Sequence, residues 1–191
     1  MKTSVFLSAS VPLPPPYRHE KYFETSDPIA IRDAVRALVS AVLPEGKLVF
    51  GGHPAITPMI RLLAHEKRIE LKSHISLFQS RFFEKQFPPE VKDFENLVLV
   101  EAVDGDRDAS LLKMRQAMIS SEDFDAGIFI GGMEGVEEEY KLFREIHPRK
   151  PAYPIASTGA AARILFDYSK SDRDELLKDL RYLYLFRKLL V

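Results

Sequence analysis

The sequence predicts an α/β fold, a three-layer architecture with a mostly parallel sheet and helices on both faces. Short, uncharged apolar runs such as Leu48-Val49-Phe50 and Ile128-Phe129-Ile130 alternate with longer stretches whose apolar residues recur every three or four positions. Runs that are apolar throughout fit strands buried on both sides, which is the condition of a parallel sheet. Parallel neighbours also need crossover connections, and the helical stretches between the runs supply them. A chain of 191 residues with 46% apolar content fits a single domain over residues 1–191.

The first element is a buried strand over residues 4–8, running into Ala9-Ser10-Val11-Pro12. Residues 12–26 hold Pro12, Pro14, Pro15 and Pro16 followed by Tyr17, His19, Tyr22 and Phe23, which predicts an extended loop held down by aromatic side chains, a candidate lid. Asp27-Pro28 is a helix start, and Ile31, Val35, Leu38, Val39 and Val42 carry that helix to Pro44. A strand over 47–50 ends at Gly51-Gly52-His53-Pro54 and passes into a helix around Met59, Ile60, Leu62 and Leu63. A strand is expected over 74–79, irregular or weakly helical chain to Asn96, and a strand over 97–103. Ala109, Leu112, Met114, Met118 and Ile119 mark an amphipathic helix. The strand over 126–130 ends at Gly131-Gly132-Met133-Glu134-Gly135 and leads to a helix over 136–146. The last strand is expected over 152–156, with Ser157-Thr158-Gly159 opening the next helix. Ser171-Asp172-Arg173-Asp174 reads as a capping box for a C-terminal helix carrying Leu176, Leu177, Leu180, Leu183, Leu185, Phe186, Leu189 and Leu190. That is more apolar surface than one helix face needs, so pairing into a homodimer or higher homo-oligomer is expected.

Composition excludes several classes. There is no cysteine, which removes disulfide, thiolate-metal and cysteine-nucleophile chemistry. The amino-terminal apolar stretch is too short for a signal peptide and no run approaches a membrane span, so a soluble, cytoplasmic protein is expected. Lys+Arg (27) and Asp+Glu (28) nearly cancel, without a basic block, which argues against a nucleic-acid duplex as partner. No metal site and no cofactor are expected.

In open parallel sheets the ligand lies beyond the carboxyl ends of the strands, where the chain changes direction across the sheet. Gly51 and Gly52 permit close approach there, and a following helix start offers N–H groups to a phosphate. His53 stands beside them as either a contact or a packed histidine. The segment Gly131-Gly132-Met133-Glu134-Gly135 repeats the arrangement and adds carboxylates on the first helical turn. Ser8 and Ser10 are expected beside the phosphate region, Gln79 is a candidate for a base edge, and Ser157, Thr158 and Gly159 either complete the rim or cap their helix.

Gly131 to Glu139 resembles the GGxGTxxE motif of Lonely Guy (LOG) phosphoribohydrolases, with Glu139 matching the final glutamate. Upstream, Met114-Arg115-Gln116-Ala117-Met118 and Asp125-Ala126 resemble the helix and strand entry of that family, with Arg115 matching its active-site arginine. The chain departs from the motif in three places: Ile130 stands where the family has proline, one residue (Met133 or Glu134) is inserted, and Val136 replaces threonine. Across nearly the whole length, the ordered set Phe6-Leu7-Ser8-Ala9-Ser10, Tyr22-Phe23, 27–31, 51–56, Phe78-Gln79-Ser80, 131–139 and 157–161 resembles the SLOG cluster-3 family. That resemblance implies a Rossmann-like domain binding a nucleotide or NAD-derived small molecule as a sensor in a bacterial conflict or stress system, acting on a separate partner. Two alternatives accompany it. One is a LOG-like nucleoside 5′-monophosphate phosphoribohydrolase, an N-glycosidase using Arg115 and Glu139; the other is a ligand-free assembly or regulatory subunit.

Overall fold

The computed structural model describes residues 3–17 and 19–190; Met1, Lys2, Arg18 and Val191 lie outside them. Six parallel strands form one sheet: β1 (Ser4–Ser10), β2 (Lys47–Gly51), β3 (Ile75–Ser80), β4 (Leu97–Val100), β5 (Ala126–Gly131) and β6 (Ala152–Ile155), in the order β4-β3-β2-β1-β5-β6. Leu7 pairs with Phe50 on one side and Ile128 on the other, so β1 is central. The helices are α1 (Glu20–Phe23), α2 (Pro28–Val42), α3 (Thr57–Glu66), α4 (Leu71–His74), α5 (Arg107–Ile119), α6 (Glu134–Ile146), α7 (Ala160–Ser169), α8 (Asp174–Lys178) and α9 (Tyr182–Leu189).

Strand alternation divides the core into two layers. Val5, Leu7, Leu48, Phe50, Ile128 and Ile130 face α2, α3 and α9, whereas Phe6, Val49 and Phe129 face α5, α6 and α7. The second layer is aromatic: Phe6 stacks on Phe143 of α6 with centroids 5.6 Å apart and planes at 12°, and meets Phe129 edge-on at 5.9 Å. Gly127 is small because a Cβ there would lie 3.0 Å from the Phe143 and Phe129 rings. α2 begins where the sequence predicts, with Asp27 accepting from the N–H groups of Ile29 and Ala30 at 2.9 Å and Pro28 opening the first turn.

Three expectations are corrected and a fourth is narrowed. β4 ends at Val100 rather than 103, because Glu101 turns to Arg81 (2.8 Å) and the Val103 N–H donates to the Ser110 hydroxyl. The C-terminal helix is broken: Asp179 accepts the Arg181 N–H at 2.8 Å and binds its guanidinium, forming a local turn between α8 and α9. The capping box is absent, since the Ser171 hydroxyl accepts from Arg173 N–H (3.3 Å) and no side chain caps α8. Finally, residues 21–25 of the candidate lid are fastened to the fold. Tyr22 is buried in the second layer, Thr25 Oγ1 accepts the Ala160 N–H that opens α7 (2.9 Å), and Lys21 pairs with Glu137 on α6 at 3.3 Å. The segment therefore clasps the starts of α6 and α7.

Most of the apolar excess at the C-terminus is core: Leu176, Leu185, Phe186 and Leu189 are buried, the α9 residues facing α2, while Leu180, Leu183 and Tyr184 remain exposed. Among the described residues no helix is long and apolar enough to cross a membrane.

Candidate functional site

From β1 the chain crosses through α2 to one face of the sheet, and from β5 it crosses through α6 to the other. The switch point therefore lies between these strands at their carboxyl ends. A cleft of about 870 Å³ opens there, a size suited to a small-molecule ligand. Its floor is formed by Ser8 and Ser10 of β1, Gly51 of β2 with Gly52 just beyond it, and Gln79 of β3, and α5 and the start of α6 form a wall. A second depression of about 490 Å³, at residues Asp174 to Arg181, is open to solvent and remote from the strand ends.

Glu139 and Arg115 are the most deeply placed ion pair in the cleft. The Glu139 side chain is 14% exposed, and that of Arg115, reaching across from α5, is 12% exposed. Ser8 Oγ donates to Glu139 Oε2 at 2.6 Å, and Arg115 Nε donates to Oε1 at 3.4 Å. Another arm of the guanidinium binds Glu138, which faces solvent. Burial pushes the Glu139 carboxyl above its usual pKa range, and Arg115 and the Ser8 hydroxyl oppose that shift. The ion pair between Arg115 and Glu139 is thus both a link between helices and a feature of the cleft. Gly135, in the first turn of α6, leaves room for it: a Cβ would lie 2.9 Å from Arg115 Nη2.

The glycine loops supply shape more than donors. In the first, Gly52 N–H donates to Phe78 O (3.1 Å), His53 N–H to Thr57 Oγ1 (3.0 Å), and the Ile56 and Thr57 N–H groups to His53 O. Its N–H groups are committed within the fold, so the expectation of a phosphate cradle at Gly51-Gly52 gives way to a glycine floor. In the second, Gly131 and Gly132 have φ of 56° and 94°, and their N–H groups donate to Thr158 Oγ1 (2.8 Å) and Ser10 O (2.9 Å). Both lie outside the cleft lining and turn the chain into α6. Met133, Glu134 and Gly135 line the cleft, and no side chain caps α6. The Glu134 and Gly135 N–H groups have no protein acceptor among the described residues.

Ser157, Thr158 and Gly159 neither line the cleft nor cap α7 through a side chain. Thr158 Oγ1 donates to Ile155 O at 2.6 Å while accepting from Gly131, so it ties β6 to the second glycine loop. Ser157 turns toward Tyr182 (3.3 Å), and Gly159, at φ 71°, packs against the Thr25 carbonyl. His53 lines the cleft, and its Nδ1 accepts the Ala55 N–H at 3.2 Å, which places the ring proton on Nε2. Burial lowers its pKa to about 4, so the ring is neutral at pH 7.

Sequence reasoning missed the part of the lining that Phe83, Gln86, Phe87 and Pro88 contribute, together with Leu111 of α5 and Lys141 of α6. The first four sit in short 3-10 turns and irregular chain, which carry no periodic signal.

Parallel strands, two helical layers and a switch-point cleft holding a mostly buried carboxylate define a Rossmann-like α/β domain. A family model described as the SLOG cluster3 family matches residues 21–190, and the chain belongs to that family. No curated protein matches it.

Proposed function

We propose that the cleft binds a nucleotide or NAD-derived small molecule and that the protein is a sensor or regulatory module. The observation that carries this reading is the Ser8–Glu139–Arg115 cluster at the base of the switch-point cleft, beside the open first turn of α6. Each carboxylate oxygen of Glu139 takes one protein donor and keeps lone-pair capacity for sugar hydroxyls. Arg115 Nη2 and the N–H groups of Glu134 and Gly135 stand at the same end, suited to phosphate oxygens. Membership of the SLOG family supports a nucleotide-related ligand.

The same carboxylate favours a second reading, cleavage of an N-glycosidic bond. A carboxylate facing the sugar stabilises positive charge developing at the anomeric carbon and orients the attacking water. The departures at Ile130 and Val136 and the inserted residue weigh toward binding without turnover.

A thermal-shift panel of AMP, ADP, ADP-ribose and NAD, with chromatography of each ligand after incubation, tests both. A ligand at a hundred times its Kd adds about 2.7 kcal/mol to stability. A shift with intact ligand supports the sensor. Base release that vanishes in Glu139→Gln supports the hydrolase, and a flat panel overturns both.

A further inference from the structure

We propose that the β3 end of the cleft is a base-reading subsite, in which the Gln79 amide hydrogen-bonds the edge of an adenine-type base lying against Phe83. This rests on the reading of the cleft as a nucleotide site and adds which part of the ligand is read, where, and by what.

Gln79 is only 6% exposed, yet neither its Nε2 nor its Oε1 has a hydrogen-bond partner among the described residues. The amide atoms are not sealed in the core, unlike Ser4 Oγ and Ser26 Oγ, so they present their donor and acceptor to the cleft. Two residues earlier on the same face of β3, the chain uses Leu77. The amide borders the cleft, so the missing partner belongs to whatever fills it.

Gly52 supports this independently. A Cβ on Gly52 would lie 1.6 Å from Gln79 Nε2 and 2.3 Å from its Cδ. The backbone of Gly52 is not in the left-handed region, unlike Gly131 and Gly132, so its conformation does not demand glycine. What demands it is the Gln79 amide, laid across the strand end where a side chain would otherwise sit.

Phe83 follows Gln79 by four residues, lines the same cleft, and is braced edge-on by Phe82 with centroids 5.0 Å apart. The pair thus supplies an aromatic face and a donor–acceptor edge. Gln79 is two strands from Ser8, about 10 Å at the usual strand spacing, which matches the reach from a base edge to its sugar. A ligand with its sugar at Glu139 therefore brings its base to Gln79. A glutamine amide pairs two-pronged with adenine, whose amino group donates beside a ring-nitrogen acceptor.

The test is calorimetric titration of the full chain with AMP, purine riboside 5′-monophosphate, which lacks the amino group, and ribose 5-phosphate. Wild type is expected to bind AMP about tenfold or more tightly than purine riboside monophosphate, the worth of a good two-pronged contact. Gln79→Leu is expected to erase that ratio while leaving the affinity for ribose 5-phosphate unchanged. Gly52→Ala is expected to reproduce the loss, and to have no further effect on AMP affinity in a Gln79→Ala background, where the methyl has room. Melting curves confirm that each variant is folded. An unchanged AMP preference in Gln79→Leu, or losses from Gly52→Ala and Gln79→Ala that simply multiply, overturns the subsite while the nucleotide reading stands. No binding of either nucleotide by wild type overturns the subsite, and no binding of ADP, ADP-ribose or NAD as well overturns the reading of the cleft on which it rests.

Discussion

Replacing Arg115 with methionine keeps most of the side-chain volume but leaves Glu139 with Ser8 as its remaining donor. Removing one partner of a buried ion pair costs about 3–5 kcal/mol when the other must stay charged. Loss of the exposed Glu138 contact adds little. Glu139 can escape part of this cost by binding a proton, so the loss must depend on pH. In the wild-type fold burial already raises its pKa above the usual carboxylate range, and loss of Arg115 removes a group that opposes the shift. Between the unfolded and folded pKa values the folded state holds more protons than the unfolded state, so stability is greatest at low pH and falls as pH rises. The penalty relative to wild type therefore changes with pH, at no more than about 1.4 kcal/mol per pH unit. Urea unfolding of both proteins at pH 5, 6, 7 and 8 measures it. A penalty of the same size at every pH would refute the reasoning.

Ser8→Ala removes the 2.6 Å donor to the carboxylate and is expected to cost about 1.5–3 kcal/mol, again more at pH 7 than at pH 5, by equilibrium unfolding. Asp27→Ala removes the α2 cap and is expected to cost about 1 kcal/mol with no change in AMP affinity, since Asp27 lies outside the cleft lining; unfolding and calorimetry check the two halves.

Periodicity and turn chemistry predicted the fold because the core obeys them: Asp27-Pro28 caps α2, and β1, β2 and β5 are apolar runs buried on both sides. The break between α8 and α9 was hidden because Leu176 to Leu190 keeps helical spacing while one aspartate, Asp179, diverts the backbone. Part of the site was legible for the same reason the fold was, since Ser8, Gly51, Gly52 and Gln79 stand at or near strand ends that meet at the switch point, whereas Arg115 and Glu139, inside α5 and α6, were legible through the motif resemblance. What sequence does not display is where an N–H group goes. The Gly52, Gly131 and Gly132 donors are spent on Phe78, Thr158 and Ser10, residues from 26 to 122 positions away in the chain. Ser157-Thr158-Gly159 has the composition of a helix cap, but the Thr158 hydroxyl accepts the Gly131 N–H and donates to Ile155 O.

The chain has five methionines, and Met114 and Met133 line the cleft, whereas Met59 packs against the opposite core layer. A titration of protein carrying ¹³C-labelled methionine methyls with AMP, ADP-ribose and NAD therefore reports on the cleft directly. If the cleft is a nucleotide site, at least one of these ligands shifts the Met114 and Met133 methyls saturably while Met59 stays in place. Methyls that do not move with any of the three, or a shift confined to Met59, would contradict it.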